Sequence, residues 1–295
     1  MLEWLEISPE LTVVATATRA FLHAPQALGS DPFQEPMRGD GTPETTHWLL
    51  EGAMAAAGRA FHAPHGAISP LPDSKEPVAM SAEHWAYRLA GYFHTTDATR
   101  RLLPLVARRF SESGRRTLAS WAEHKISEEA GHEKLALRDL SELGYRAHEV
   151  VSAFVPPRAA AWVALFERLA AADDPAGCVG YAHALERLAL LRGPAEVSAI
   201  EQDLPASVNV TRCLRMHSAL GSDARHVRTN VTTTCALSAD ERRAIAGASY
   251  LTARIYFDPA LGDDFHSARL AAKMSAFREH SRLSPEVLSR QPEPN

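Results

Sequence analysis

Three stretches of the chain carry residues that could hold a metal ion. In WAEHKISEEAGHEKLALRDLSEL (121–143), Glu129 and His132 stand three apart; at about 100° per residue they lie about 60° apart on one helical face. Far downstream, HSALGSDARHV (217–227) repeats the pairing, with Asp223 and His226 three apart and His217 ahead of them. Between the two, GYAHALERL (180–188) carries Glu186 on an otherwise apolar helix, where an unpaired carboxylate would be costly to bury. Two carboxylate-histidine pairs on separate helices match the way metal sites are assembled inside helical bundles, where a diiron site takes about six protein ligands. A nitrogen and oxygen set without thiolates favours iron or manganese over structural zinc.

Each assignment has a competitor. Glu128 is as good a partner for His132 at four apart, and Glu123, Glu128 and Glu129 compete as the carboxylate of that helix. Glu186 could instead form a salt bridge with Arg187 or Arg192. His217 and His226 fall on opposite faces of an uninterrupted helix; a bulge at Gly221 and Ser222 would leave a His-x3-Asp-x2-His run on one face, and without it His217 is a histidine on the helix surface or one that supports the ligands from behind.

The elements that must position these residues read as helices. The 121–143 segment is amphipathic, offering Ile126, Leu135, Leu137 and Leu140 to a core and Lys125, Lys134, Arg138 and Glu142 to water, and it closes at Gly144. Further helices are expected over 9–24, 44–62, 81–94, from Asp97 past Pro104, over AAAWVALFERLAA, over GCVGYAHALERLALL up to a break at Gly193–Pro194, over 207–232, from a Ser238/Glu241 capping box to about Tyr256, and over DDFHSARLAAKMSAFREHSR. No credible strand pattern or internal repeat occurs. The expectation is an all-α bundle of about seven core helices over 81–283. Residues 1–80 read as an irregular extension of two helices and Pro/Gly-rich loops able to cover a pocket, and 284–295 as a flexible tail.

Composition narrows the function classes. The 295 residues are 45% hydrophobic and 23% charged with a net charge of −5, which allows a sizeable core and disfavours nucleic acid as a partner. Cys178, Cys213 and Cys235 cannot all pair and form no Cys-x-x-Cys motif, so a reduced intracellular protein is the simplest account. MLEWLEISPEL has neither a basic start nor a continuous apolar run, and no stretch of about eighteen apolar residues follows. A soluble, cytoplasmic protein without a membrane partner is expected, its oligomeric state open between monomer and homodimer.

The combination of EEAGHEKLALRDLSELGY, an inward Glu on GYAHALERL, and HSALGSDARHV resembles the haem-oxygenase-like diiron oxidases and oxygenases over about residues 80–260. The resemblance implies a seven-helix bundle with two Fe(II) per chain that uses O2 to oxidise a small molecule in natural-product biosynthesis, by N-oxygenation or by oxidative cleavage of an amino-acid-like or fatty-acid-like substrate. It places ligands at Glu129, His132, Glu186, His217, Asp223 and His226; the His-x3-Asp-x2-His run is stretched here by two residues. Arg212, Arg215, Arg225 and Tyr181 are candidates to bind a substrate carboxylate. Other readings stay open: haem on His84, a cofactor-free oxidase or thiaminase-like enzyme, or a non-enzymatic metal- or partner-binding bundle.

Overall fold

In the computed structural model, residues 41–62, 80–204, 209–218, 222–261 and 268–279 are described, without the side chains of 61–62, 191–195, 218, 222–224 and 268. The expected helix over 9–24, the Pro/Gly-rich segments on either side of 41–62 and the tail 284–295 lie outside these residues. Among the described residues the fold is all-helical: α1 (Pro43–His62), α2 (Ala82–Glu112), α3 (Arg116–Glu128), α4 (His132–Glu142), α5 (Ala147–Ala153), α6 (Pro157–Ala171), α7 (Gly177–Asp203), α8 (Arg212–Ser218), α9 (Ser222–Cys235), α10 (Ala239–Phe257), a 3-10 turn at Pro259–Leu261, and α11 (Ala268–Ser275). An isolated bridge between Tyr145 and Arg278 ties the end of α11 to the α4–α5 turn.

The long helices α2 and α7 form the spine, and both run through expected breaks. α2 starts where the Ser81 side chain accepts the His84 backbone N–H and continues for 31 residues, with no separation near 94–97. The hydroxyls of Thr95, Thr96 and Thr99 donate to carbonyls one turn back, so these residues find partners within the helix instead of ending it. α7 passes Gly193–Pro194 because its far half is anchored: Glu196 pairs with Arg88 at 3.0 Å, and Val197 and Ile200 are buried. Tertiary packing here overrides local propensity.

The opposite departure occurs at 121–143, expected as one helix and found as two. Gly131 adopts φ 86°, a left-handed conformation that a side chain would disfavour, and the chain turns there between α3 and α4. The helix expected over 207–232 is likewise two, α8 and α9, with 219–221 outside the described residues. The Ser238/Glu241 capping box is present with both of its hydrogen bonds.

Among the described residues two apolar clusters make up the core. One gathers Leu49, Leu50, Phe110, Leu118, Leu165 and Ile245; the other Trp85, Leu89, Leu140, Tyr145, Ile200 and Met274. Leu49, Leu50, Ala53 and Ala57 place one face of α1 inside the first cluster, so this helix of the expected 1–80 extension is packed into the body. α7 and α10 cross in backbone contact: a Cβ at Gly180 would sit 2.0 Å from the Ile245 carbonyl oxygen, and Ser249 donates to the Gly180 carbonyl at 2.9 Å. α3 and α7 feed the first cluster with Trp121 and Ala184, while α4 and the end of α7 feed the second with Ala136 and Ile200. The polar residues between these positions mark the seam between the clusters. No single helix among the described residues is long and apolar enough to cross a membrane.

Candidate metal centre

The seam is built by four segments. α3 ends at Glu128 with Glu129 as its C-cap, the chain turns through Gly131, and α4 begins at His132. That turn sets His132 Nδ1 2.9 Å from Glu129 Oε2. α8 brings the His217 ring edge-on to His132, with centroids 4.9 Å apart. α7 supplies Glu186 and α9 supplies His226, each largely buried. The result is two three-residue groups whose donor atoms lie within 4.8 Å of one another: Glu129, His132 and His217, and Glu129, Glu186 and His226. Glu129 belongs to both.

The electrostatics suit cation binding at the first group. Burial alone would raise the Glu129 carboxyl, but the His132 hydrogen bond and the nearby His217, His132 and Lys125 bring it down to about 2. Glu129 is therefore a carboxylate at neutral pH. Burial pushes His217 down to about 4 against the pull of Glu129, so its ring is neutral. Its Nε2 is shut away from solvent with no hydrogen-bond partner among the described residues, a buried donor or acceptor left unused. A neutral imidazole beside an ionised carboxylate is what metal ligation requires.

The second group is arranged differently. Lys125, 2% exposed, reaches 2.5 Å from Glu186 Oε1 and 3.1 Å from Glu128 Oε2. Burial works to lower its pKa, yet the pull of Glu186 and Glu128 raises it, so the ammonium persists. Glu128 Oε1 also lies 3.0 Å from His226 Nε2, and His226 Nδ1 is 3.8 Å from Glu186 Oε1. Burial, followed by the nearby Lys125 charge, lowers the His226 pKa. Glu186 Oε2 accepts from Asn230 Nδ2 at 2.6 Å, and Asn230 Oδ1 accepts from Trp121 Nε1 at 2.8 Å, so the carboxylate is fixed at both oxygens.

Of the residues singled out in the sequence, Glu129, His132, Glu186, His217 and His226 come together. Asp223 lies in the first turn of α9, and its side chain is outside those described. Glu123 is exposed, which leaves Glu129 in the site with Glu128 beside it. Of the competing salt bridges for Glu186, the one with Arg187 does not form: Arg187 pairs with Glu51 at 2.7 Å and Lys125 takes Glu186, while the Arg192 side chain is outside those described. Lys125 was expected in water and is buried, since its face of α3 is also that of Glu128 and Glu129. Arg212 is held by Asp139 and Glu142, Arg215 by Glu201, and Arg225 is exposed near Glu128. His84 sits in the first turn of α2 and does not line the cavity described below. Sequence reasoning missed Lys125, Trp121 and Asn230. Two of them had a signal: Lys125 precedes Glu129 by four residues and Asn230 follows His226 by four, each on the ligand-bearing face.

Comparison with protein-family models, curated proteins and solved structures gives no match to this chain.

A cavity of about 230 Å³ opens beside Glu129, Glu186 and His217. It runs between α2 and α7, and its walls include Leu103, Phe166, Leu185 and Leu188. The threonines of α2 that line it turn their hydroxyls to their own helix and so present no free hydroxyl to the cavity, while Arg88 on the same wall is held by Glu196. Besides His217 Nε2, two polar groups of the lining are uncommitted among the described residues: the Tyr181 hydroxyl is buried without a hydrogen-bond partner, and Arg158, stacked over Tyr256, forms no ion pair. Burial raises the Tyr181 pKa, so the hydroxyl remains a donor.

Proposed function

We propose that this chain is a haem-oxygenase-like diiron enzyme that binds Fe(II) at the two groups joined by Glu129 and uses O2 to oxidise a small organic molecule, by N-oxygenation or oxidative cleavage. One observation carries the reading: a single carboxylate, Glu129, stands in both candidate ligand groups, as a bridging ligand between two metal ions would. The donor set fits iron, with imidazole and carboxylate and no thiolate. When bound, such a centre supplies the O2 chemistry that protein side chains lack.

The chain's own residues would do the rest. His132 and His217 offer imidazoles to the first ion; Glu186, oriented by Asn230, and His226 serve the second. The apolar side chains of the cavity, among them Leu103, Phe166, Leu185 and Leu188, would limit water at the reacting face. The Tyr181 hydroxyl donates a hydrogen bond to the substrate, and Arg158 takes an anionic substituent, in place of the arginines already held by Asp139 and Glu201. Substrates of the amino-acid-like or fatty-acid-like kind meet both requirements. A cytoplasmic setting would suit a reduced-iron enzyme with free cysteines.

Anaerobic Fe(II) titration tests the proposal. Wild-type protein should take up about two ions per chain, consume O2 on exposure to air, and lose both properties in Glu129→Ala. Uptake below about half an ion per chain would end it, and would favour a second reading for which the Lys125, Glu128, Glu186 and His226 network speaks: a bundle whose buried charges are structural ion pairs.

A further inference from the structure

The two ligand groups differ in one respect that bears on how they fill. The first contains no ammonium or guanidinium among the described residues, and its His217 Nε2 is without a partner. The second already holds a cation: Lys125 Nζ lies 2.5 Å from Glu186 Oε1, the same oxygen that faces His226 Nδ1 at 3.8 Å. An ion bound by Glu186 and His226 and an ammonium held by Glu186 compete for one place.

We propose that Lys125 is the resident cation of the second group, so that divalent ions enter in a fixed order: the first at Glu129, His132 and His217, the second at Glu129, Glu186 and His226 only as the Lys125 side chain swings out. This rests on the metal-binding reading above and adds to it the order and control of loading.

Charge balance supports the order. Among the described side chains the largely buried carboxylates at the seam are Glu128, Glu129 and Glu186. One divalent ion together with the Lys125 ammonium neutralises those three negative charges. A second divalent ion with Lys125 still in place leaves an excess of positive charge in a poorly hydrated interior, which is strongly unfavourable. The lysine has somewhere to go. It lines the cavity, so rotation of its flexible stem moves the ammonium away from Glu186 without disturbing the backbone of α3. In the metal-free protein Lys125 offsets part of the negative charge of Glu128 and Glu186, and on this count the one-ion form is the neutral form. Asn230 keeps Glu186 in position while the lysine moves, because its hydrogen bond goes to the other carboxylate oxygen.

Anaerobic calorimetric titration with Fe(II), and with Mn(II) as a redox-silent probe, distinguishes the outcomes. Wild type should bind one ion tightly and a second at least about tenfold more weakly. Lys125→Met and Lys125→Gln should tighten the second step by about tenfold or more and change the first far less, while Lys125→Arg, which keeps the charge, should retain the weak second step. Thermal unfolding gives a readout independent of activity: the metal-free Met and Gln variants should melt lower than wild type and gain more on metal addition. If the Met variant does not fold, the Gln and Arg pair decides the matter. Two equal affinities in wild type, or loss of the second ion in the neutral variants, would overturn the proposal. No ion bound by wild type at all would instead overturn the metal-binding reading itself.

Discussion

The two ligand groups share Glu129 yet solve the problem of buried charge in different ways. Around Glu129, His132 and His217, one carboxylate is balanced by a hydrogen-bonded histidine and faces a neutral imidazole with an unused nitrogen. Around Glu186 and His226, every charge has a committed partner: Lys125 spans Glu128 and Glu186, and Asn230 closes the remaining oxygen. An unsatisfied buried donor or acceptor costs about 1–3 kcal/mol, so the first group gains by binding a ligand, whereas the second must break contacts to do so. A site poised for a cation and one plugged by a cation thus lie side by side.

Removing one histidine at a time should separate the two groups most clearly. His217→Ala should abolish the tight ion and His226→Ala the weak one, each leaving the other measurable by equilibrium dialysis; loss of both ions in either variant would mean the groups are not separable. The next effect is on the pH dependence of the metal-free protein. His217 is depressed to about 4 from 6.5, so the unfolded chain binds its proton first and stability should fall as pH drops from 6.5 towards 4. Glu129, held at about 2 against 4.5, extends the loss below pH 4.5, the total being on the order of a few kcal/mol. Chemical denaturation at a series of pH values should show the upper part of this slope flattened in His217→Leu. Asn230→Ala should be smaller, costing about 1–3 kcal/mol by stranding the Trp121 N–H and freeing one Glu186 oxygen, and should loosen the second ion without touching the first. Gly131→Ala is the mildest. No atom lies within 4 Å of the added Cβ, so only the left-handed backbone resists, at about 1 kcal/mol; the cost should appear in the first group, whose His132 the turn positions.

Much of the site was legible because ligand chemistry is written in residue types and short spacings. Glu129 with His132, Glu186 inside an apolar helix, and His217 ahead of His226 all declare themselves that way, and the structure brings these five together. The manner of their meeting was less legible. Glu129 and His132 were expected one turn apart on a continuous helix and instead flank a left-handed glycine, since a lone Gly in a helical pattern reads equally well as interior or as a stop. Gly193–Pro194 and the threonines near 95 erred in the other direction, looking like breaks and being carried through by packing and by hydroxyl-to-carbonyl bonds.

By itself the sequence determined that the chain is helical, where its apolar stripes lie and which residues have ligand chemistry, because those properties depend on composition and on contacts within a few residues. Only the tertiary structure decided that Glu129 stands in both groups, that Asn230 and Trp121 hold Glu186, and that Lys125 is buried among carboxylates instead of solvated. Each of these rests on which helices cross at the seam, and contacts between residues about a hundred positions apart leave no local pattern to read.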